Sequence, residues 1–98
     1  MSTDIKTDIR RRAIHALRED AEKIHTLIRV QLVHLTGPKC PLYEEVVDTQ
    51  MFGMSREVEF AVRIGLVTKE EASEIMDQLE VDVTKLHEAI STLSSFQK

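Results

Sequence analysis

The segment from Thr68 to Leu93 limits the possible folds of this chain more than any other. It opens with Thr68-Lys-Glu-Glu71, in which the hydroxyl and the carboxylate can each accept from the other residue's backbone N–H and so close a first helical turn. Ala72, Met76, Leu79, Val83, Leu86, Ile90 and Leu93 then recur at alternating spacings of four and three. That rhythm places them all on one side of an α-helix, whereas a half-buried strand would alternate every second residue. Leucine alternates with Met, Val or Ile along the row, which makes it a heptad seam that another helix must cover.

A matching stripe lies near the start of the chain. From Asp4 to about Leu35 the pattern is helical: Ile14, Leu17, Ala21, Ile24, Ile28 and Leu35 follow the same steps, interrupted by Gln31. Ser2 or Thr3 can cap this helix, Asp4 and Asp8 suit its positive end, and Gly37-Pro38 stops it. The stripe is the expected cover for the C-terminal seam, with the two long helices packed antiparallel; a second copy of the chain is the other candidate. Leu27, Ile28, Val30, Leu32, Val33 and Leu35 surround the helix, so its last two turns are expected to be buried on more than one side.

Two short helices are predicted between the long ones. Pro41 fits the first helical position after Cys40, Gly53 closes that element, and Ser55 caps the next, which buries Val58, Ala61 and Val62 and ends at Gly65. Leu66-Val67 staple the loop into the core. The expected fold is therefore all-α, a small bundle of two long and two short helices forming one domain over residues 1–98. Residues 1–18 are read as an extended or frayed part of the first helix.

With three Phe, one Tyr and no Trp, the core must be built from Leu, Ile, Val and Met. A chain of 98 residues buries only about two-thirds of its unfolded surface. Burial of a further face in a homodimer would add stability. A formal charge of −4 argues against a nucleic-acid or anionic-membrane surface, which needs a basic footprint. The single cysteine fits a reducing compartment. The N-terminus lacks the apolar core of a signal peptide, and no run approaches membrane-spanning length. A cytoplasmic location is expected.

The stretch KCPLYEEVVDTQMFG, Lys39 to Gly53, holds the only cysteine and the only tyrosine together with three acids. Tyr43, Val47 and Met51 share one helical face. Cys40, Glu44 and Asp48 follow another at steps of four, with Glu45 alongside. Like charges at this spacing repel by a few tenths of a kcal/mol. A cation or a basic partner would offset that repulsion; a solvated acidic face near a helix start is the plainer reading. Cys40, beside Lys39 and a helix N-terminus, has the setting of a reactive thiol or a metal ligand, or of a small side chain packed under a loop.

His15 falls at an outward position, while His25, His34 and His87 flank the seams, where a partly buried, hydrogen-bonded imidazole is the ordinary outcome. Together with Cys40, Glu44 and Asp48, these histidines, His87 among them, are of ligand types that suit Fe(II) or Zn(II). No two histidines stand three or four apart and there is no CxxC, so such a site must be assembled from separate helices or separate chains. Arg10-Arg11-Arg12 reads as a solvated basic face. No nucleophile motif and no divided carboxylate pair is visible, so the expectation is a protein that is not an enzyme.

The block CPLYEEVVDTQMFGMSREVEFAVRIGLV, Cys40 to Val67, resembles the signature segment of the YlaN family of small bacterial proteins. The flanking DAEKI, LIRVQLVHLT and LHEA are similar to that family as well, over most of residues 19 to 90. The resemblance implies a small, leucine-rich, cytoplasmic helical protein linked to cell shape and to iron. In particular it implies an Fe(II)-responsive adaptor that contacts the iron-dependent repressor Fur and relieves repression. On that reading Tyr43, Glu44, Glu45, Asp48 and Phe52 form the partner surface, and Cys40, Glu44, Asp48 and His87 the metal ligands. The alternative is a structural homodimer affecting cell shape, whose middle stretch serves as core and interface.

Overall fold

The computed structural model describes residues 2–33 and 42–96, with side chains described for 5–33 and 45–92. These residues form three helices: α1 (Ser2–Val33), α2 (Leu42–Arg63) and α3 (Lys69–Phe96). All-α is the fold class, but the middle of the chain is one helix rather than two. Val47, Met51, Met54, Val58 and Ala61 form a stripe at spacings of four and three, and it runs through Gly53 without losing register. Breaking the helix there would uncover that stripe on one side of the break. A helical glycine costs only about 0.5–1 kcal/mol relative to alanine, so continuity wins. Ser55 accordingly caps nothing: its hydroxyl donates to the Phe52 carbonyl at 2.7 Å, inside the helix.

The true end of α2 is at Gly65. Its φ of +80° is the left-handed conformation that closes a helix at little cost only for glycine. The Leu66 N–H donates to the Ala61 carbonyl at 2.9 Å and the Gly65 N–H to that of Val62 at 3.1 Å. These bonds are the two of a Schellman ending. Val67 is then buried and Leu66 half-buried, so the loop is stapled as expected. Three residues on, the capping box forms in full. The Thr68 N–H donates to Glu71 at 2.8 Å, and the Glu71 N–H donates to the Thr68 hydroxyl at 3.1 Å.

The Thr68 backbone bond, with help from the hydroxyl, holds the Glu71 carboxyl below the usual carboxylate range. A lowered folded-state pKa means stability that is present above the unfolded pKa and lost as pH falls through the folded one. Thr68→Ala is expected to cost about 1 kcal/mol in urea denaturation at neutral pH. The acid half of the cap is expected to fade only below about pH 4.

The single middle helix also reverses one expectation of packing. Glu71 lines a groove with Arg10, Arg11 and Ile14, and Asp82 bonds His25, so α3 runs parallel to α1, not antiparallel. The cause is length: α2 spans about 33 Å, enough to carry the chain back toward the start of α1 before α3 begins. The core joins Leu17, Ala21, Ile24 and Ile28 of α1 to Val47, Met54, Val58 and Ala61 of α2 and to Ala72, Ile75, Leu79 and Leu86 of α3. Among the described residues no polar or charged side chain is buried. The α3 seam is consumed inside the molecule, since Leu79 and Leu86 are both 0% exposed.

Two helices cover only one side of α1. Val30 and Val33 therefore face solvent, although the last two turns were expected to be buried on more than one side. At the other end α1 begins well before α3 does, and residues 5–12 are all exposed, part of a rod measuring 64 × 18 × 16 Å. α1 is helical from Ser2.

Candidate functional site

Asp48 lies in the second turn of α2, and His87 stands on α3. Antiparallel packing of these helices brings a carboxylate oxygen of Asp48 to 3.6 Å from His87 Nε2, with the side chains 58% and 43% exposed. Two of the four sequence-predicted ligands therefore converge from separate helices. Glu44 is in the first turn of α2, one turn before Asp48, but its side chain lies outside the described set, as does that of Tyr43. Cys40 lies outside the described residues altogether. Among the described residues no group of three or more His, Cys, Asp or Glu is placed to hold a metal ion.

The predicted partner surface is partly open. Glu45 is exposed, and Phe52 is 67% exposed on the outer side of α2. An exposed phenylalanine in a chain with so few aromatics has no role in the core.

The remaining histidines follow the reading of their helical positions where they are described. His15 points outward and pairs with Glu19 at 2.7 Å. His25 is half-buried and hydrogen-bonded through Nδ1 to Asp82 across the α1–α3 junction. Glu22 stands near this pair and is held below the usual carboxylate range by its hydrogen bond from Arg29 at 2.8 Å. His34 lies outside the described residues.

Two features escaped the sequence pattern. Asp20 and Glu57 face each other across α1 and α2. Burial, then the hydrogen bond and charge of Asp20, push the Glu57 carboxyl up, with Lys23 pulling the other way. Phe60 and Ile64 are 59% and 54% exposed, off the Val58–Ala61–Val62 face. That offset is visible on a helical wheel. The acid pair requires the α1–α2 register, which no local pattern contains.

A family model described as a protein of unknown function, DUF1507, matches residues 8–92. The chain belongs to the DUF1507 family. It is similar to a UPF0358 protein of Anoxybacillus flavithermus, 55% identical over 89 residues, which cover 91% of this chain and 93% of the relative. A UPF0358 protein of Bacillus velezensis is 53% identical over 91 residues, 93% of this chain and 98% of its own length. One from Geobacillus thermodenitrificans is 54% identical over 89 residues, covering 91% and 94%. The family is thus one of small bacterial proteins, and the present fold spans nearly all of each relative. Among the described residues no helix is long and apolar enough to cross a membrane.

Proposed function

We propose that this chain is a non-enzymatic regulatory adaptor of iron homeostasis in the bacterial cytoplasm, acting as a homodimer. In this reading it binds Fe(II) and contacts the repressor Fur to relieve repression. The resemblance to the YlaN family supplies the biological context. The observation that supports a cation site is the approach of Asp48 on α2 to His87 on α3, residues far apart in the chain. An imidazole nitrogen and a carboxylate oxygen are donors that suit Fe(II) and Zn(II) alike. Glu44, one turn from Asp48, and Cys40, just before α2, would complete the set. Their charge would also stop opposing itself once a cation is bound. Glu44, Glu45, Asp48 and Phe52 would then form one acidic and aromatic surface that a basic partner can read, with metal occupancy setting its charge; position 43 is in register with buried Val47, on the other side of α2.

Anaerobic calorimetric titration tests this reading, with Fe(II), Zn(II) and Mg(II) compared on the wild type and on Asp48→Asn with His87→Gln. Micromolar or tighter Fe(II) binding that is lost in the double variant is the expected result. Equal binding by wild type and variant would remove these two residues from the site. The exposed Phe52, Phe60 and Ile64 favour a second reading, a structural homodimer affecting cell shape; absence of Fe(II) binding would leave that one standing.

A further inference from the structure

Beyond the face that builds the core, α1 carries a second row. Ile5, Ile9, Ala16 and Val30 recur at helical spacing, with half-buried Leu27 at the row's edge against the core, and Ile5 and Ile9 are 62% and 48% exposed. The groove between α1 and α2 fixes what stands beside it. Asp20, Lys23 and Ile24 face Thr49, Gln50, Gly53, Met54 and Glu57 in antiparallel register. One turn on from Glu57 comes Phe60, and a further turn brings Ile64, so both flank the row near Ala16 and Ala13. One broad face thus presents two exposed isoleucines of α1 with a phenylalanine and an isoleucine of α2.

We infer that this α1–α2 face is the interface between two copies of the chain, with the two α1 helices antiparallel and crossing at Ala16. The charge pattern selects this occupant. An isologous interface must be complementary to itself. Arg12 and Asp20 lie in the same row, four residues to either side of Ala16, with opposite charges. Antiparallel pairing about Ala16 sets Arg12 of each copy beside Asp20 of the other, and Ile5 beside Leu27. Small Ala16 lets the helices approach at the axis. The same contact adds a second cation to the Asp20–Glu57 acids, beside Lys23, whose Nζ lies 3.7 Å from Asp20.

Within the chain Arg12 meets Asp8 at 3.0 Å with its side chain 80% exposed. An exposed pair of that kind holds it only weakly. In extent the face suffices: α1 runs about 38 Å from Ile5 to Val30, and α2 widens the face to about 20 Å from Ala13 onward. That is roughly 600 Å² per partner, at the low end for a stable interface. An anionic lipid surface fits less well, because Asp20 and Glu57 stand at its centre.

The inference rests on the homodimer in the reading above but not on its iron site. The test is sedimentation equilibrium of the full chain, beside Arg12→Asp, Asp20→Arg, the two combined, and Phe60→Glu. Circular dichroism checks that each is folded. The wild type is expected to be a dimer. Each single charge reversal should weaken it about tenfold or more, the combined reversal should restore it, and Phe60→Glu should dissociate it. A dimer indifferent to all four variants would overturn this interface and leave the homodimer intact. A monomeric wild type would overturn both. A monomer that binds phosphatidylglycerol vesicles through Ile9 and Phe60 would give the face to a membrane and also overturn the inference.

Discussion

Leu79→Ala is expected to lower the stability of the fold by about 2–5 kcal/mol in urea denaturation. Leu79 is 0% exposed, and it stands midway along the α3 seam among side chains from all three helices. Truncation there loses the transfer free energy of the side chain and leaves a cavity that three rigid helices cannot collapse to fill. Domains of this kind have only about 5–15 kcal/mol in total, so the variant should be marginal at physiological temperature. Met76, half-buried in the same seam, gives the contrast. Its substitution should cost distinctly less. Equal effects at the two positions would mean that the seam is not centred where the packing places it.

Gly53→Pro should be nearly as damaging, at about 3 kcal/mol or more. In a continuous α2 the ring removes the hydrogen bond to the Thr49 carbonyl and clashes with that same carbonyl. Gly53→Ala should move stability the other way, by about 0.5–1 kcal/mol. An added Cβ there meets nothing within 4 Å. Gly65→Ala should destabilise, because a φ of +80° strains any residue that has a Cβ. This pattern of three outcomes separates one helix from two. A Gly53→Pro variant of native stability would show that α2 ends at Gly53 and begins again after it.

The glycine also explains where sequence reading succeeds and where it stops. Helices α1 and α3, the reciprocal Thr68–Glu71 cap and the burial of Leu17, Ile24, Ile28, Leu79 and Leu86 were all legible in spacing. The middle helix reads locally as two, because Gly53 and Ser55 carry stop and start chemistry worth about a kcal/mol each. The stripe from Val47 to Ala61 outweighs both, since burial of each large apolar side chain contributes about 1.5–3 kcal/mol. Continuing that stripe through the glycine would have given the correct element.

Of the candidate site, the residue types were legible but their neighbours were not. Asp48 and His87 could be nominated as ligand types, yet only the antiparallel packing of α2 on α3 brings them within 3.6 Å. The His25–Asp82 bond and the opposed carboxylates of Asp20 and Glu57 depend likewise on register between helices.

What is periodic and local follows from the order of residues: the helical class, the capped start of α3, the glycine stop at Gly65 and the apolar faces that need cover. Side chains three and four apart are neighbours on any helix, whatever it packs against. The direction of α3 relative to α1, the pairing of Asp48 with His87 and the row left uncovered on α1 arise instead from the packing of the three helices. Those depend on the length of α2, which fixes where the chain returns and which residues of distant helices stand at the same level.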